Sequence, residues 1–391
     1  MNILQVGKYY PPVKGGIETH VQTLSHALAQ RAEVSSVTVI VSNTNHQLKI
    51  EEEEVQYPSK VSQKKVNESN NDIIKKIKII KLPRIKFLSI PFNFSLFYYL
   101  KKKRDIVHIQ LPNPSAMLAY FLAKPKTNLI VTWQADTPRF KFAQALLQPL
   151  TMYILKKSKA IIVTHPLSPL CSSEFKDKTV VIPLGIPHPP SITNTSKRLP
   201  YSQIKNSQKV APYLIFIGRL VKYKGVKYLI SAMKNVPTIL YIIGDGPEKT
   251  SLQKMVHNLH LEKKVIFLGE LEESKKNEYL ENCAMLILPS IGKNEAFGLV
   301  QLEAMKYAKP VISTKLHTGV EFVNEHKKTG LIVPPKNSLA LADAINMLLE
   351  HKDLAKKYGQ FGKKRAHTKF NANIMGEKTL QVYQKVMSSS K

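Results

Sequence analysis

Pro289-Ser290-Ile291-Gly292-Lys293-Asn294-Glu295-Ala296-Phe297-Gly298-Leu299-Val300-Gln301-Leu302-Glu303-Ala304-Met305 is the stretch on which the fold turns. It follows a short apolar run at 285–288 and passes into helical spacing. Glu295 and Glu303 stand eight residues apart, with Gly298 between them. Eight residues is slightly over two helical turns, so with a helix running from Ala296, Glu303 lies one or two turns down the face nearest the loop. Glu295 precedes that helix, level with its N-terminal amides. One carboxylate can then hold ribose hydroxyls and the other a sugar, while the amides of Phe297, Gly298 and Leu299 face a phosphate. Solvated glutamates on a helix are the plainer alternative.

Strand, loop and helix in this order make one βαβ unit, and the pattern repeats in both directions. Short apolar or β-branched runs lie at 3–6, 37–41, 106–109, 129–132, 160–163 and 180–182, and again at 213–217, 239–243, 265–268 and 311–313. Helical spacing separates them, as at 19–30, where Val21, Leu24 and Leu28 share a face. Such alternation predicts parallel sheets in doubly wound α/β domains. The sharpest break is Pro183-Leu-Gly-Ile-Pro187-His-Pro189-Pro190, followed by polar residues without periodicity. It places a first domain at 1–185, a linker at 186–211 and a second domain at 212–370. A final helix near 371–387 could pack back on the first domain. Residues 42–72 read as an exposed loop or hairpin.

Composition bounds the class. The chain has 391 residues, 43% of them hydrophobic, enough for two ordinary cores. Its two cysteines, Cys171 and Cys283, are far apart and in no metal-ligand pattern, which fits a reducing compartment. No apolar run approaches the ~20 residues that a membrane-spanning helix needs. The first residues read directly as a strand rather than a signal peptide, so a cytoplasmic location is expected. The charge is the outlier: 58 Lys and Arg against 28 Asp and Glu, a balance of +30. An anionic partner is one explanation, and a bias of genomic base composition is the other.

Three further loops follow strands. Pro11-Pro12-Val13-Lys14-Gly15-Gly16-Ile17-Glu18 opens the first helix, and its paired glycines, Gly15 and Gly16, allow either a close ligand approach or a tight turn. It is neither G-x-G-x-x-G nor a P-loop. Gly218-Arg219-Leu220-Val221-Lys222-Tyr223-Lys224-Gly225 puts Arg219 and Lys224 beyond a strand's carboxyl end, where open α/β sheets bind ligands. Two cations there suit a diphosphate; two solvated charges are the alternative. Ile243-Gly244-Asp245-Gly246-Pro247 admits a nucleotide base at Gly244, Asp245 and Gly246, or is only a turn.

Together these segments resemble the retaining glycosyltransferases of family 4, which have the GT-B fold: two Rossmann-like domains facing a cleft. E-A-F-G-L-V-Q-L-E-A-M matches the family's E-x7-E signature, with G-R-L-V-x-x-K-G and I-G-D-G-P at the family's spacings before it. K-Y-Y-P-P-V-K-G-G-I-E-T-H matches its N-terminal donor-phosphate loop, and L-P-N-P and T-W-Q-A-D look like bacterial enzymes of O-antigen, capsule or exopolysaccharide assembly. The resemblance implies that Gly15 and Gly16 lie against the donor and that Arg219 and Lys224 neutralise its diphosphate. It further implies that Glu303 binds the ribose and Glu295 the sugar hydroxyls. It implies same-face substitution through an oxocarbenium-like transition state without a metal, and no Asp-x-Asp occurs in the chain. The co-substrate would be a nucleotide sugar, GDP-linked first (mannose favoured) and UDP-linked next, with no other cofactor.

Two positions depart from the family. Gln134, in Thr132-Trp133-Gln134-Ala135-Asp136, stands where relatives commonly have a histidine that contacts the donor; glutamine can donate a hydrogen bond but cannot become a cation. Gln110 stands where a second histidine is frequent. A degenerate binding or scaffold subunit, a GT-B epimerase and a phosphorylase are therefore the competing readings. Residues 75–104 hold ten Lys or Arg and no acid, interleaved with aromatics. That suits an anionic membrane surface and a glycan or lipid-linked acceptor at the inner face of the cytoplasmic membrane; a strand and helix with one solvated face is the alternative. Nucleic acid is not expected, since no recognition module is present.

Overall fold

The computed structural model describes residues 1–13, 15–43, 47–57, 73–83, 85–87, 90–92, 95–134, 141–187 and 212–389. The chain forms two compact units, Met1–Gly185 with Ala372–Lys391, and Ile186–Asn371. Most of the segment read as a linker, 188–211, lies outside the described residues, as do Lys14, Ala135 and Asp136.

The first unit is built on β1 (Asn2–Val6), β2 (Ser36–Ser42), β3 (Lys49–Tyr57) and β4 (Ile73–Leu82), a small hairpin of β5 (Ile85–Phe87) and β6 (Ile90–Phe92), then β7 (Ile106–Leu111), β8 (Asn128–Trp133), β9 (Ala160–Val163) and β10 (Thr179–Val181). The sheet order is β10-β9-β8-β7-β1-β2-β4-β3. Every pairing is parallel except β3 with β4. All six residues of β7 and all four of β9 are buried, as expected of strands covered on both faces. The helix Gly16–Ala29 begins earlier than its periodicity predicts, because the apolar pattern cannot register a first turn of Gly, Ile and Glu. The helix Ala372–Ser388 belongs to this unit and packs on Gly16–Ala29, where Gly376 sits against Ala27.

Of the two readings of residues 42–72, loop or hairpin, residues 49–57 take the second, pairing antiparallel with β4. They form an antiparallel edge strand that carries its own counter-ions. Glu51 lies 2.6 Å from Lys81, and Glu52 lies 3.3 Å from Lys76. The Lys75 ammonium donates to the carbonyls of Arg31 and Val34 at 2.7 and 2.8 Å. Part of the acid-free basic stretch thus finds its acids, or carbonyls, on neighbouring elements.

The second unit has β11 (Tyr213–Ile217), β12 (Ile239–Ile243), β13 (Val265–Gly269), β14 (Met285–Leu288), β15 (Val311–Thr314) and β16 (Gly330–Val333), all parallel in the order β13-β12-β11-β14-β15-β16. The order reverses between β11 and β14, and in the first unit between β1 and β7. At such a switch point the connections leave for opposite faces of the sheet, and its carboxyl edge is the general ligand position of open α/β sheets. The helix after β14 runs Leu299–Lys306, three residues later than expected, because Gly298 takes a left-handed conformation (φ 69°) and caps it.

Candidate active site

In the second unit the β11–β14 switch point brings together two of the predicted segments. Gly225 is left-handed (φ 65°), and a Cβ there would stand 2.1 Å from the Pro289 carbonyl oxygen. Only glycine lets the loop after β11 lie this close to the loop after β14. The Ile291 amide donates to the Tyr223 carbonyl at 2.7 Å and fastens the two. Lys224 is thereby carried to Glu295: Nζ lies 2.6 Å from Oε2, and the Ser290 hydroxyl donates to the same oxygen at 2.7 Å. Their side chains are only 12% and 9% exposed. Burial works against the Lys224 ammonium, but the Glu295 carboxylate and Tyr223 outweigh it, and its pKa is raised. The Thr318 hydroxyl holds the Glu295 carbonyl at 2.8 Å.

This corrects one expectation. Lys224 is not a second open cation beside Arg219; it forms a buried pair with Glu295, and Arg219 alone of the two is exposed. Glu303 is paired as well, with Lys276 of the helix Glu273–Asn282 at 2.8 Å. Burial disfavours that ammonium, yet Glu303 and Glu273 raise its pKa overall. The Phe297 ring is buried, its centroid 5.9 Å from that of Phe370, and the Phe297 carbonyl accepts from the Gln301 side-chain amide Nε2 at 3.1 Å.

Gly244 and Gly246 serve the packing of protein on protein. A Cβ at Gly244 (φ 132°) would stand 2.1 Å from the Gly218 carbonyl oxygen, and one at Gly246 would stand 2.4 Å from that of Leu220. The Leu220 amide donates to the Asp245 carbonyl at 2.8 Å, so this turn buttresses the Arg219 loop. The Asp245 carboxylate is exposed and bonded to Lys249 at 2.7 Å and to the Gly246 amide at 2.6 Å; both hold its pKa below the ordinary range.

In the first unit Gly15 and Gly16 are exposed at the start of the helix Gly16–Ala29. The Glu18 carboxylate folds over them, its Oε2 2.2 Å from where a Gly15 Cβ would stand. Burial raises the Glu18 pKa. At the ends of β7 and β8, Gln134 and Gln110 are partners: Gln134 Nε2 donates to Gln110 Oε1 at 2.6 Å. Gln110 Nε2 donates to Gln5 Oε1 at 3.3 Å, and Gln5 Nε2 donates to the Tyr383 hydroxyl at 3.0 Å. That hydroxyl lies 2.6 Å from His108 Nδ1, and His108 Nε2 lies 2.7 Å from the Thr132 hydroxyl. All six residues are buried. Burial drives His108 down to about 3, so the ring is neutral.

Ser290, Thr318, Lys276, Glu18 and Tyr383 were not singled out from sequence. Ser290 sits two residues past a strand end, a usable signal; Lys276 and Tyr383 lie on helices where nothing marks them.

Two largely parallel-sheet units, each with charged or amide side chains gathered at its switch point, form a ligand-binding α/β architecture, and the family comparisons identify its class. Residues 14–188 match the Glycosyltransferase Family 4 model and residues 198–365 the model for glycosyl transferases group 1, most of the chain between them. The chain belongs to this family of glycosyltransferases. It is 27% identical to the O-antigen chain mannosyltransferase C of Escherichia coli, over the whole of both chains. It is 29% identical to the D-rhamnosyltransferase WbpZ of Pseudomonas aeruginosa, over 71% of this chain and 73% of that one. Sucrose-phosphate synthase from Thermosynechococcus elongatus shares the fold with a TM-score of 0.75 at 21% identity, covering 99% of each chain. Anabaena Alr3699/HepE in complex with UDP superposes with a TM-score of 0.71 at 18% identity, covering 98% of this chain and 100% of that one.

Proposed function

We propose that this glycosyltransferase moves mannose from GDP-mannose to a cell-surface polysaccharide or lipid-linked precursor, with retention of configuration and without a metal. The Lys224–Glu295–Ser290 cluster at the β11–β14 switch point carries this reading. It is a buried, oriented carboxylate beside an ammonium, suited to a sugar hydroxyl on one side and a diphosphate on the other. Arg219 adds the exposed cation, whose forked donors match phosphate oxygens as negative charge grows on the leaving group. The departing phosphate oxygen would take the acceptor hydroxyl's proton on the face it leaves, so the sugar keeps its configuration. Glu303, held by Lys276, would take the ribose, and the loop of Gly15 and Gly16 the donor phosphate or sugar, with Glu18 swinging aside. The full-length match to an O-antigen mannosyltransferase supports mannose and a polysaccharide precursor. The UDP complex of the HepE neighbour keeps UDP-sugars as the next donors.

The acceptor chemistry suggests a membrane surface. No helix among the described residues is long and apolar enough to cross a membrane. The helix Leu96–Lys101 packs against Pro114–Ala123 and exposes Tyr98 (71%), with Leu122 (55%) exposed on its neighbour. Lys101, Lys102 and Lys103, at and just after the end of the first of these helices, are exposed, and Lys101 Nζ lies 4.3 Å from the Phe97 ring centroid. Aromatic and aliphatic groups edged by cations suit peripheral docking on anionic lipid at the cytoplasmic face. Residues 93–94 of the aromatic run lie outside the described residues.

Proton NMR of the first product formed from GDP-mannose tests the reaction. An α-mannoside, or α-mannose by hydrolysis, is expected; a β anomer would contradict retention. Absence of nucleoside diphosphate release from every GDP-, UDP-, ADP- and dTDP-sugar would leave the binding-subunit reading.

A further inference from the structure

We propose that Gln5, Gln110, Tyr383 and His108 are positioning residues, a one-way hydrogen-bond chain that fixes the Gln134 carboxamide with its oxygen outward, to accept from a sugar hydroxyl. Each link points the same way: Gln134 Nε2 to Gln110 Oε1, Gln110 Nε2 to Gln5 Oε1, Gln5 Nε2 to the Tyr383 oxygen. The inner end sets the direction. A phenol is the most acidic donor in the chain and a neutral imidazole nitrogen its strongest base, so the 2.6 Å contact is Tyr383 O–H donating to His108 Nδ1. His108 then carries its proton on Nε2 and donates to Thr132. Gln5 Nε2 lies 3.0 Å from the Tyr383 oxygen and 3.2 Å from His108 Nδ1; with Nδ1 bare both are acceptor atoms, so Gln5 turns its nitrogen inward and each amide outward is turned in the same sense. Reversing one carboxamide alone would oppose like groups at both its ends in a buried site, so the chain turns as a whole or not at all.

At the outer end Gln134 is left with its oxygen and one N–H. Phosphate oxygens carry no proton at neutral pH and cannot donate to that oxygen, whereas a sugar hydroxyl can. The remaining N–H can donate to a phosphate or a hydroxyl alike, so the oxygen is what selects: the chemical class it serves is a hydroxylated sugar ring, with a hydroxyl preferred over hydrogen or fluorine at one carbon. The ordering reaches the chain's last helix, since Tyr383 lies in Ala372–Ser388. This inference rests on the reading that Gln134 meets the donor sugar.

The experiment has two arms on the full-length protein. Long-range proton–nitrogen NMR of the ¹⁵N-histidine-labelled protein reads the His108 tautomer, the resonance being identified by its shift in Tyr383→Phe. A protonated Nε2 with a bare Nδ1 is expected; a protonated Nδ1 would reverse every link and overturn the proposal, whether or not the enzyme turns over. The second arm measures KM and kcat with GDP-mannose and its 2-, 3-, 4- and 6-deoxyfluoro analogues, which accept weakly but cannot donate. Wild type should show a KM at least tenfold higher for one analogue. Gln134→Leu and Gln110→Leu should bring the two KM values together, and Tyr383→Phe should narrow the gap. A merely structural role would lower the melting temperature and leave the KM ratio intact. Equal KM values in wild type, or discrimination surviving in Gln134→Leu, would overturn the proposal. Failure of wild type to turn over GDP-mannose or UDP-glucose would count against the donor reading alone.

Discussion

Lys224 and Glu295 are each other's counter-ion in a site only about a tenth exposed, so neither can be removed alone without a structural cost. Glu295→Gln leaves an uncompensated buried ammonium, and losses for such broken pairs run to about 3–5 kcal/mol. The melting temperature should fall accordingly. Added GDP should raise it further in this variant than in wild type, because a diphosphate would supply the missing charge; an equal or smaller shift would place the phosphate elsewhere. Arg219 is the opposite case, exposed at the same switch point. Arg219→Ala should keep the wild-type melting temperature and lose about 10²–10³ in turnover, as removal of one transition-state charge contact typically does. Both residues were legible in the sequence, since strand, glycine and charge fall at telling spacings. Their pairing was not. It depends on the close loop crossing at Gly225 and Pro289, which brings together residues 71 positions apart. Gln134 and Gln110 escaped for the same reason: read as two separate departures, they are one hydrogen-bonded unit.

At the scale of elements, the buried parallel strands announce themselves, because a strand covered on both faces must be a short apolar run. The strand β3 does not. Lys49-Ile-Glu-Glu-Glu-Glu-Val-Gln-Tyr57 has one solvated face and four successive acids; lysines of β4 balance Glu51 and Glu52, and Tyr10 and His26 hold Glu53. The same pairing relocates the membrane hypothesis from the whole of 75–104 to its distal end. Replacing Lys101, Lys102 and Lys103 by Ser should weaken binding to anionic liposomes. Raising salt from 0.1 to 1 M should do the same in wild type, as the Debye length falls from ~10 to ~3 Å. Lys76→Ser, whose partner is Glu52, should change vesicle binding little. Equal binding of wild type to neutral and anionic vesicles would remove the electrostatic account.

The whole molecule carries a +30 balance and two buried neutral histidines, so acid should unfold it from two directions. Burial lowers His20 to about 4 and His108 to about 3, from 6.5. Neither His20 ring nitrogen has a partner among the described residues. An unfolded histidine binds a proton near pH 6.5 that the folded one refuses. Stability from this source is therefore complete above pH 6.5, declines below it and is lost by the time the folded groups titrate near pH 3–4. At about 1.4 kcal/mol per pKa unit, each group contributes roughly 3–5 kcal/mol over that window. His20→Leu should flatten the fall in melting temperature between pH 6.5 and 4.5 without lowering stability at pH 7.5; an unchanged slope would mean that His20 is not the titrating group.

The central claim is that the β11–β14 switch point is the donor site of a working transferase. The most direct measurement is GDP release from GDP-mannose by wild type and Arg219→Ala, side by side, with circular dichroism showing both folded. Release by wild type that falls at least a hundredfold in Arg219→Ala is the predicted result. Release at the same rate from both, or none from wild type with any nucleotide sugar, would contradict it.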